Sequence, residues 1–221
     1  RESYYLATKF PGYDLSNMPK VREIFEKQLE KTGVDYFDFY LFHNVCEMNI
    51  NEYLDPKYGI FDYLMEQKKN GRIRHLGFSC HGEMEVLKRF LDAYGEHMEF
   101  CQLQLNYFDW TFQHGREKVK LLNEREIPVW VMEPLRGGKL AKLNEDMEKE
   151  LRALRPEEEI PAWAFRFLQS VDGVTMILSG MSNKEQLQAN LHTFETEAPL
   201  REQEMETLMK IVERMQAQKS V

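Results

Sequence analysis

No stretch of this sequence stays apolar for the ~18 residues that a membrane-spanning helix needs, and its N-terminus lacks a charged-then-apolar leader profile, so no membrane partner is expected. Cysteine is scarce. Cys46, Cys80 and Cys101 are widely spaced and form no C-x-x-C pair, a set that suits neither a disulfide framework nor a zinc knuckle; a reducing cytoplasm is the expected setting. Basic residues are outnumbered 29 to 37, for a formal net charge of −8. Nucleic acid needs concentrated Lys and Arg, and no such cluster occurs, so nucleic acid is not an expected partner. No G-x-G-x-x-G turn follows any apolar run, which removes the fingerprint of a doubly wound dinucleotide fold. RGGKL at 136–140 lacks both the first glycine spacing and the hydroxyl residue of a phosphate loop, and reads as an ordinary loop.

What the sequence does contain is one unit repeated in kind: a short apolar run, a loop, an amphipathic stretch of helical period, then another run. The runs are 4–10, 37–44, 75–80, 100–107, 128–135 and 174–181; helical patterns lie at 19–32, 59–70, 83–94, 115–126, 160–170, 183–194 and 200–218. Strands with so little polar alternation are covered on both faces, and strands alternating with helices specify a parallel sheet. Polar and reactive residues gather where the runs end: Lys9, His43 and Asn44, Ser79 with Cys80 and His81, Asn106, Glu133 and Ser179. In a (β/α) barrel those ends share one mouth, where functional residues sit. Lys9 fits that placement, since an ammonium closing an apolar strand is costly unless it is paired or used. The stripe Met205, Leu208, Met209, Val212 and Met215 reads as helix-packing surface.

Taken in order, these strand ends resemble the aldo-keto reductase family. YLATK resembles a third barrel strand closing on the catalytic lysine, DFYLFHN a fourth closing on the catalytic histidine, and GRIRHLGFS (71–79) the family's fifth-strand signature. QLQLN (102–106), VMEPLRGG (131–138) and ILSGMSNKEQLQANL (177–191) stand where the family has its later motifs. The resemblance implies a (β/α)8 TIM barrel over 1–221 as a single domain, here lacking about the first two βα units, with a C-terminal amphipathic helix at 200–218. It implies NAD(P)H-dependent reduction of an aldehyde or ketone to an alcohol, with Lys9 and His43 catalytic. Ser79 and Gln102 would bind the nicotinamide carboxamide. Met132, Glu133, Pro134 and Leu135 would line the ring and pyrophosphate, and Gly180, Met181, Ser182, Gln186 and Asn190 would hold the adenosine phosphate.

Several positions depart from the family pattern. Cys80 replaces an asparagine, Met132 an aromatic and Glu133 a serine, and Gln186 stands where many members carry an arginine, so NADP and NAD both remain open. The tyrosine and aspartate of the catalytic tetrad belong to a unit before Arg1, and the chain is expected to be truncated at both ends. VMEPLRGG and the last helix resemble a branch in which an iron–sulfur segment follows, so such a cluster is expected only in a longer parent chain. Open strand edges would favour oligomers. Two other readings compete: a non-catalytic reductase-like binding module, and a metal-dependent hydrolase using His43, Cys46, Cys80 and His81 around zinc.

Overall fold

The computed structural model describes residues 1–219. Its strands are β1 (Ala7–Phe10), β2 (Phe37–Val45), β3 (Ile73–Cys80), β4 (Cys101–Gln104), β5 (Val129–Met132) and β6 (Val174–Ile177). They form one sheet in chain order, and the first three pairings are parallel in register. The helices are α1 (Val21–Thr32), α2 (Ile50–Leu54), α3 (Ile60–Lys69), α4 (Met84–Tyr94), α5 (Asp109–Phe112), α6 (Gly115–Glu124), α7 (Glu145–Leu154), α8 (Ile160–Gln169), α9 (Lys184–Phe194) and α10 (Glu202–Lys219). Sequential parallel strands with helical crossovers are the expected α/β architecture. Among the described residues no helix is long and apolar enough to cross a membrane.

Contacts divide the chain into two compact units: Arg1–Leu103 with Glu117–Val129, and Gln104–Arg116 with the chain from Trp130 onward. In the first unit alternate residues of the strands point to helices. Tyr40 meets Phe25 at 5.2 Å, Phe42 meets Phe90 at 5.3 Å and Phe78 meets Phe90 at 4.4 Å between ring centroids. Each of these rings is fully buried, and burial of such a side chain is worth about 1.5–3 kcal/mol. α1 stops at Gly33, whose φ of 65° lets its N–H turn back to the Leu29 carbonyl at 2.9 Å. At Gly77 the reason for glycine is space, because a Cβ there would lie 2.6 Å from the Phe100 carbonyl oxygen.

The second unit packs around α8, which is buried from Ala162 through Leu168. α7 carries no assignment from the sequence, where its charged residues mask a short apolar stripe. Its signals are local: Asn144 accepts from the Met147 N–H at 3.0 Å as the cap, and Met147 and Leu151 are buried. α10 buries Leu208, Ile211 and Val212 while Met205, Met209 and Met215 are half-buried, so the methionine stripe is packing surface. Arg155 holds the start of α10 through Glu204 and through the carbonyls of Ala198 (2.9 Å) and Pro199 (2.8 Å). β6 is shorter than the apolar run 174–181, ending at Ile177. It closes the strand order, and Met176, Leu178 and Met181 are exposed there.

Candidate functional site

Register places four of the expected residues on one face of the sheet. Lys9 pairs with Leu41, Leu41 with Gly77, and Ser79 with Gln102. Side chains alternate along a strand, so His43 shares the face of Leu41 and Ser79 that of Gly77. Lys9, His43, Ser79 and Gln102 therefore project from the same face, toward the C-terminal ends of β1 to β4. Directly after His43 the register slips between Phe42 and Val45, and Asn44 takes a left-handed φ of 57°. This bulge turns the Asn44 N–H onto the Ser79 hydroxyl oxygen at 2.8 Å.

Lys9 and His43 line a cleft of about 580 Å³ with Tyr13, whose ring stands edge-on to the imidazole at 5.3 Å. Both site groups are half-buried. Burial lowers the Lys9 ammonium below its ordinary pKa, and among the described residues no carboxylate pairs with it. The His43 imidazole is held down to about 4, first by burial and then by the charges of Lys9 and His81. At neutral pH it is uncharged, and one ring nitrogen carries a proton that it can donate.

The loops bearing these groups are fixed by residues that sequence reasoning passed over. Asn49, fully buried, donates to the carbonyls of Gly12 (2.9 Å) and Asn44 (2.7 Å) and accepts from the Cys46 N–H (3.0 Å). The Tyr53 hydroxyl donates to the His43 carbonyl at 2.6 Å. Room for that hydroxyl exists only because residue 12 is glycine: a Cβ would fall 1.8 Å from the Tyr53 oxygen. The available signal was the PGYD turn itself, since a glycine beside a candidate catalytic strand marks a close approach.

The thiols contribute no metal cage. Cys80 is buried, and burial raises it to about 12; burial also pushes the Cys101 thiol well above its ordinary value. Among the described residues no group of three or more His, Cys, Asp or Glu is placed to hold a metal ion. The set His43, Cys46, Cys80 and His81 thus does not assemble as a zinc site.

In the second unit, Met132 ends β5 half-buried, Glu133 is exposed at a φ of 58°, Pro134 is buried and Leu135 half-buried. This loop is held by Asp109, fully buried, which accepts from Gln104 (2.9 Å), Asn106 (2.8 Å) and Arg136 (3.0 Å). Asn106 also donates to the Glu133 carbonyl at 3.0 Å. Gly180, Met181, Ser182 and Gln186 are exposed. Ser182 N–H donates to the Gln186 side chain at 2.7 Å, Gln186 N–H donates to Asn183 at 2.8 Å, and Asn190 donates to Ser179 at 3.2 Å. Two of the backbone donors offered to a phosphate are therefore already engaged.

The aldo/keto reductase family model matches residues 1–213. No curated protein matches the sequence. Among solved structures the chain is similar to the aldo-keto reductase AKR11C1 from Bacillus halodurans in its holo form, at 24% identity and a TM-score of 0.75 over 95% of this chain and 72% of that one. The apo form of that protein gives 23% identity and a TM-score of 0.74, with the same coverage. An aldo/keto reductase from Brucella melitensis gives 19% and 0.72, covering 95% of this chain and 74% of that one. Likeness at these identities establishes the fold, a barrel-type parallel α/β architecture.

Proposed function

We propose, on the premise that the chain belongs to the aldo/keto reductase family of NAD(P)H-dependent oxidoreductases, that its site reduces the carbonyl of a small molecule to an alcohol. The observation that carries this reading is the shared face of Lys9, His43, Ser79 and Gln102. A bound nicotinamide supplies hydride to the carbonyl carbon. Ser79 and Gln102 suit its carboxamide: the Ser79 oxygen already accepts from Asn44, leaving its hydroxyl hydrogen to donate, and the Gln102 amide offers a donor and an acceptor. Met132 to Leu135 would lie along the ring and pyrophosphate, and the exposure of Glu133 lets water screen its repulsion of phosphate. The segment from Gly180 to Asn190 would take the adenosine end, with Gln186 displaced from Ser182. Either NADP or NAD satisfies these contacts.

At the carbonyl oxygen, the neutral His43 ring donates a hydrogen bond and the Lys9 ammonium stabilises the charge that develops. That no carboxylate among the described residues pairs with Lys9 favours, as a second reading, a module that binds dinucleotide without turnover. All three cysteines are free, which suits a reducing cytoplasm. The test follows NADPH absorbance with 4-nitrobenzaldehyde for the chain, Lys9→Met and His43→Ala. The reductase reading expects a measurable rate that falls by at least about tenfold in each variant, given the usual size of such contributions. Equal rates in all three proteins would leave only the binding module.

A further inference from the structure

Two of the three thiols meet where β2 and β3 end. Val45, the last residue of β2, is the register partner of Cys80, the last of β3, and its carbonyl accepts from the N–H groups of His81 (3.0 Å) and Gly82 (3.1 Å). The chain leaving β3 therefore folds against Cys46, and a Cβ at Gly82 would lie 3.2 Å from the Cys46 Cα. Neighbouring strands lie about 4.8 Å apart and a residue advances about 3.3 Å, so one step beyond the Val45–Cys80 pair puts the Cys46 and Cys80 Cα atoms roughly 6 Å apart, inside the span of a disulfide. The third thiol is out of reach. Cys101 pairs with Phe78, two residues before Cys80, and that diagonal is roughly 8 Å.

The two sulfurs have different surroundings. Cys46 is half-buried, open to a small oxidant, and its carbonyl is held by the N–H groups of Asn49 (3.2 Å) and Ile50 (3.0 Å). Cys80 is buried, with its sulfur 3.9 Å from the Gly82 carbonyl oxygen, facing the segment that lies on Cys46. Burial above all, with Cys46 among the groups that add to it, keeps the Cys80 thiol protonated, so Cys46 is the sulfur that reacts first.

We infer that Cys46 and Cys80 are a redox pair that a hydroperoxide closes into a disulfide, and that closure weakens nicotinamide binding at Ser79. The Cys46 sulfur attacks the peroxide: an S–O bond forms, the O–O bond breaks, and water leaves with the thiol proton. The Cys80 sulfur then displaces that oxygen: the S–S bond forms, the S–O bond breaks, and a second water carries off the Cys80 proton. Together the sulfurs lose two electrons and the peroxide gains them. Closure draws Cys80 away from Gly82 and with it Ser79, its chain neighbour, whose oxygen holds the Asn44 N–H at 2.8 Å. The binding half rests on the function proposed above, whereas the pairing stands on the geometry alone.

Peptide mass mapping of the hydrogen peroxide-treated chain, without reductant, tests the pairing and needs no variant. A Cys46–Cys80 cross-linked peptide is expected, lighter by two hydrogens, within one chain and lost on adding dithiothreitol; it should also form in Cys101→Ser. Fluorescence titration with NADPH tests the coupling: affinity is expected to fall at least about tenfold on closure and to recover on reduction, while Cys46→Ser binds alike with and without peroxide. Cys46 that gains oxygen without cross-linking, or that links to Cys101 or to a second chain, overturns the pairing. A Cys46–Cys80 cross-link with unaltered NADPH affinity overturns the coupling. No NADPH binding by the reduced chain would instead sink the nicotinamide reading and leave the pairing standing.

Discussion

Tyr53 donates its hydroxyl to the backbone carbonyl of His43 at 2.6 Å, passing through space that only a glycine at position 12 leaves open. This one bond ties the loop after β1 to the strand end carrying the imidazole, and burial pushes the Tyr53 phenol well above its ordinary pKa, keeping it a donor. Tyr53→Phe leaves the His43 carbonyl without that donor, and a loss of about 1 kcal/mol is expected. Gly12→Ala is expected to cost more, because the ring itself must move: its Cζ would lie 2.3 Å from the new methyl. Urea unfolding of both variants measures the order, and a Gly12→Ala protein as stable as the parent would contradict it.

His43 sets a pH dependence. Its folded pKa of about 4 lies below the ordinary value of 6.5, so between those limits the unfolded chain binds more protons than the folded one. Stability from this group is therefore full above pH 6.5 and is lost as pH falls toward 4. NMR titration of the His43 ring should show it neutral at pH 5.5. In His43→Leu the fall in stability over that interval should be shallower, and an unchanged slope would contradict the assignment.

Gly77→Ala tests the close packing of β3 on the segment entering β4. Its Cβ would meet the Phe100 carbonyl oxygen at 2.6 Å and the Phe100 ring at 2.7 Å, and backbone cannot yield as a side chain can. A loss of about 1–3 kcal/mol is expected, as for other overpacked sites, read as a lowered urea midpoint.

Much of the architecture was legible because the strands are apolar on both faces and their helices carry clear stripes. Lys9 and His43 were legible because each closes such a strand. The supports were not: Asn49, Tyr53 and Gly12 act across loops far apart in sequence, and nothing local distinguishes Asn49 from a surface asparagine. Asp109 belongs to the same class. In NYFDWTF, Tyr107 and Phe108 are core and the buried carboxylate beside them organises the loop.

Arg155 offers a test within the second unit. Its guanidinium joins Glu204, nearly buried, to two carbonyls at the start of α10. Arg155→Met leaves that carboxylate only the Arg201 N–H at 2.8 Å and the Arg201 guanidinium at 3.8 Å, and a loss of about 1–3 kcal/mol is expected. Thermal unfolding indistinguishable from the parent would show that water satisfies Glu204 instead.

The central claim is that the face shared by Lys9, His43, Ser79 and Gln102 receives a nicotinamide. Fluorescence titration with NADPH, comparing the chain with Gln102→Ala, addresses it most directly. Saturable binding is expected, weakened about tenfold when the amide that would hold the carboxamide is removed, the equivalent of ~1.4 kcal/mol. Binding of equal affinity in the two proteins, or none in the parent, would contradict the account.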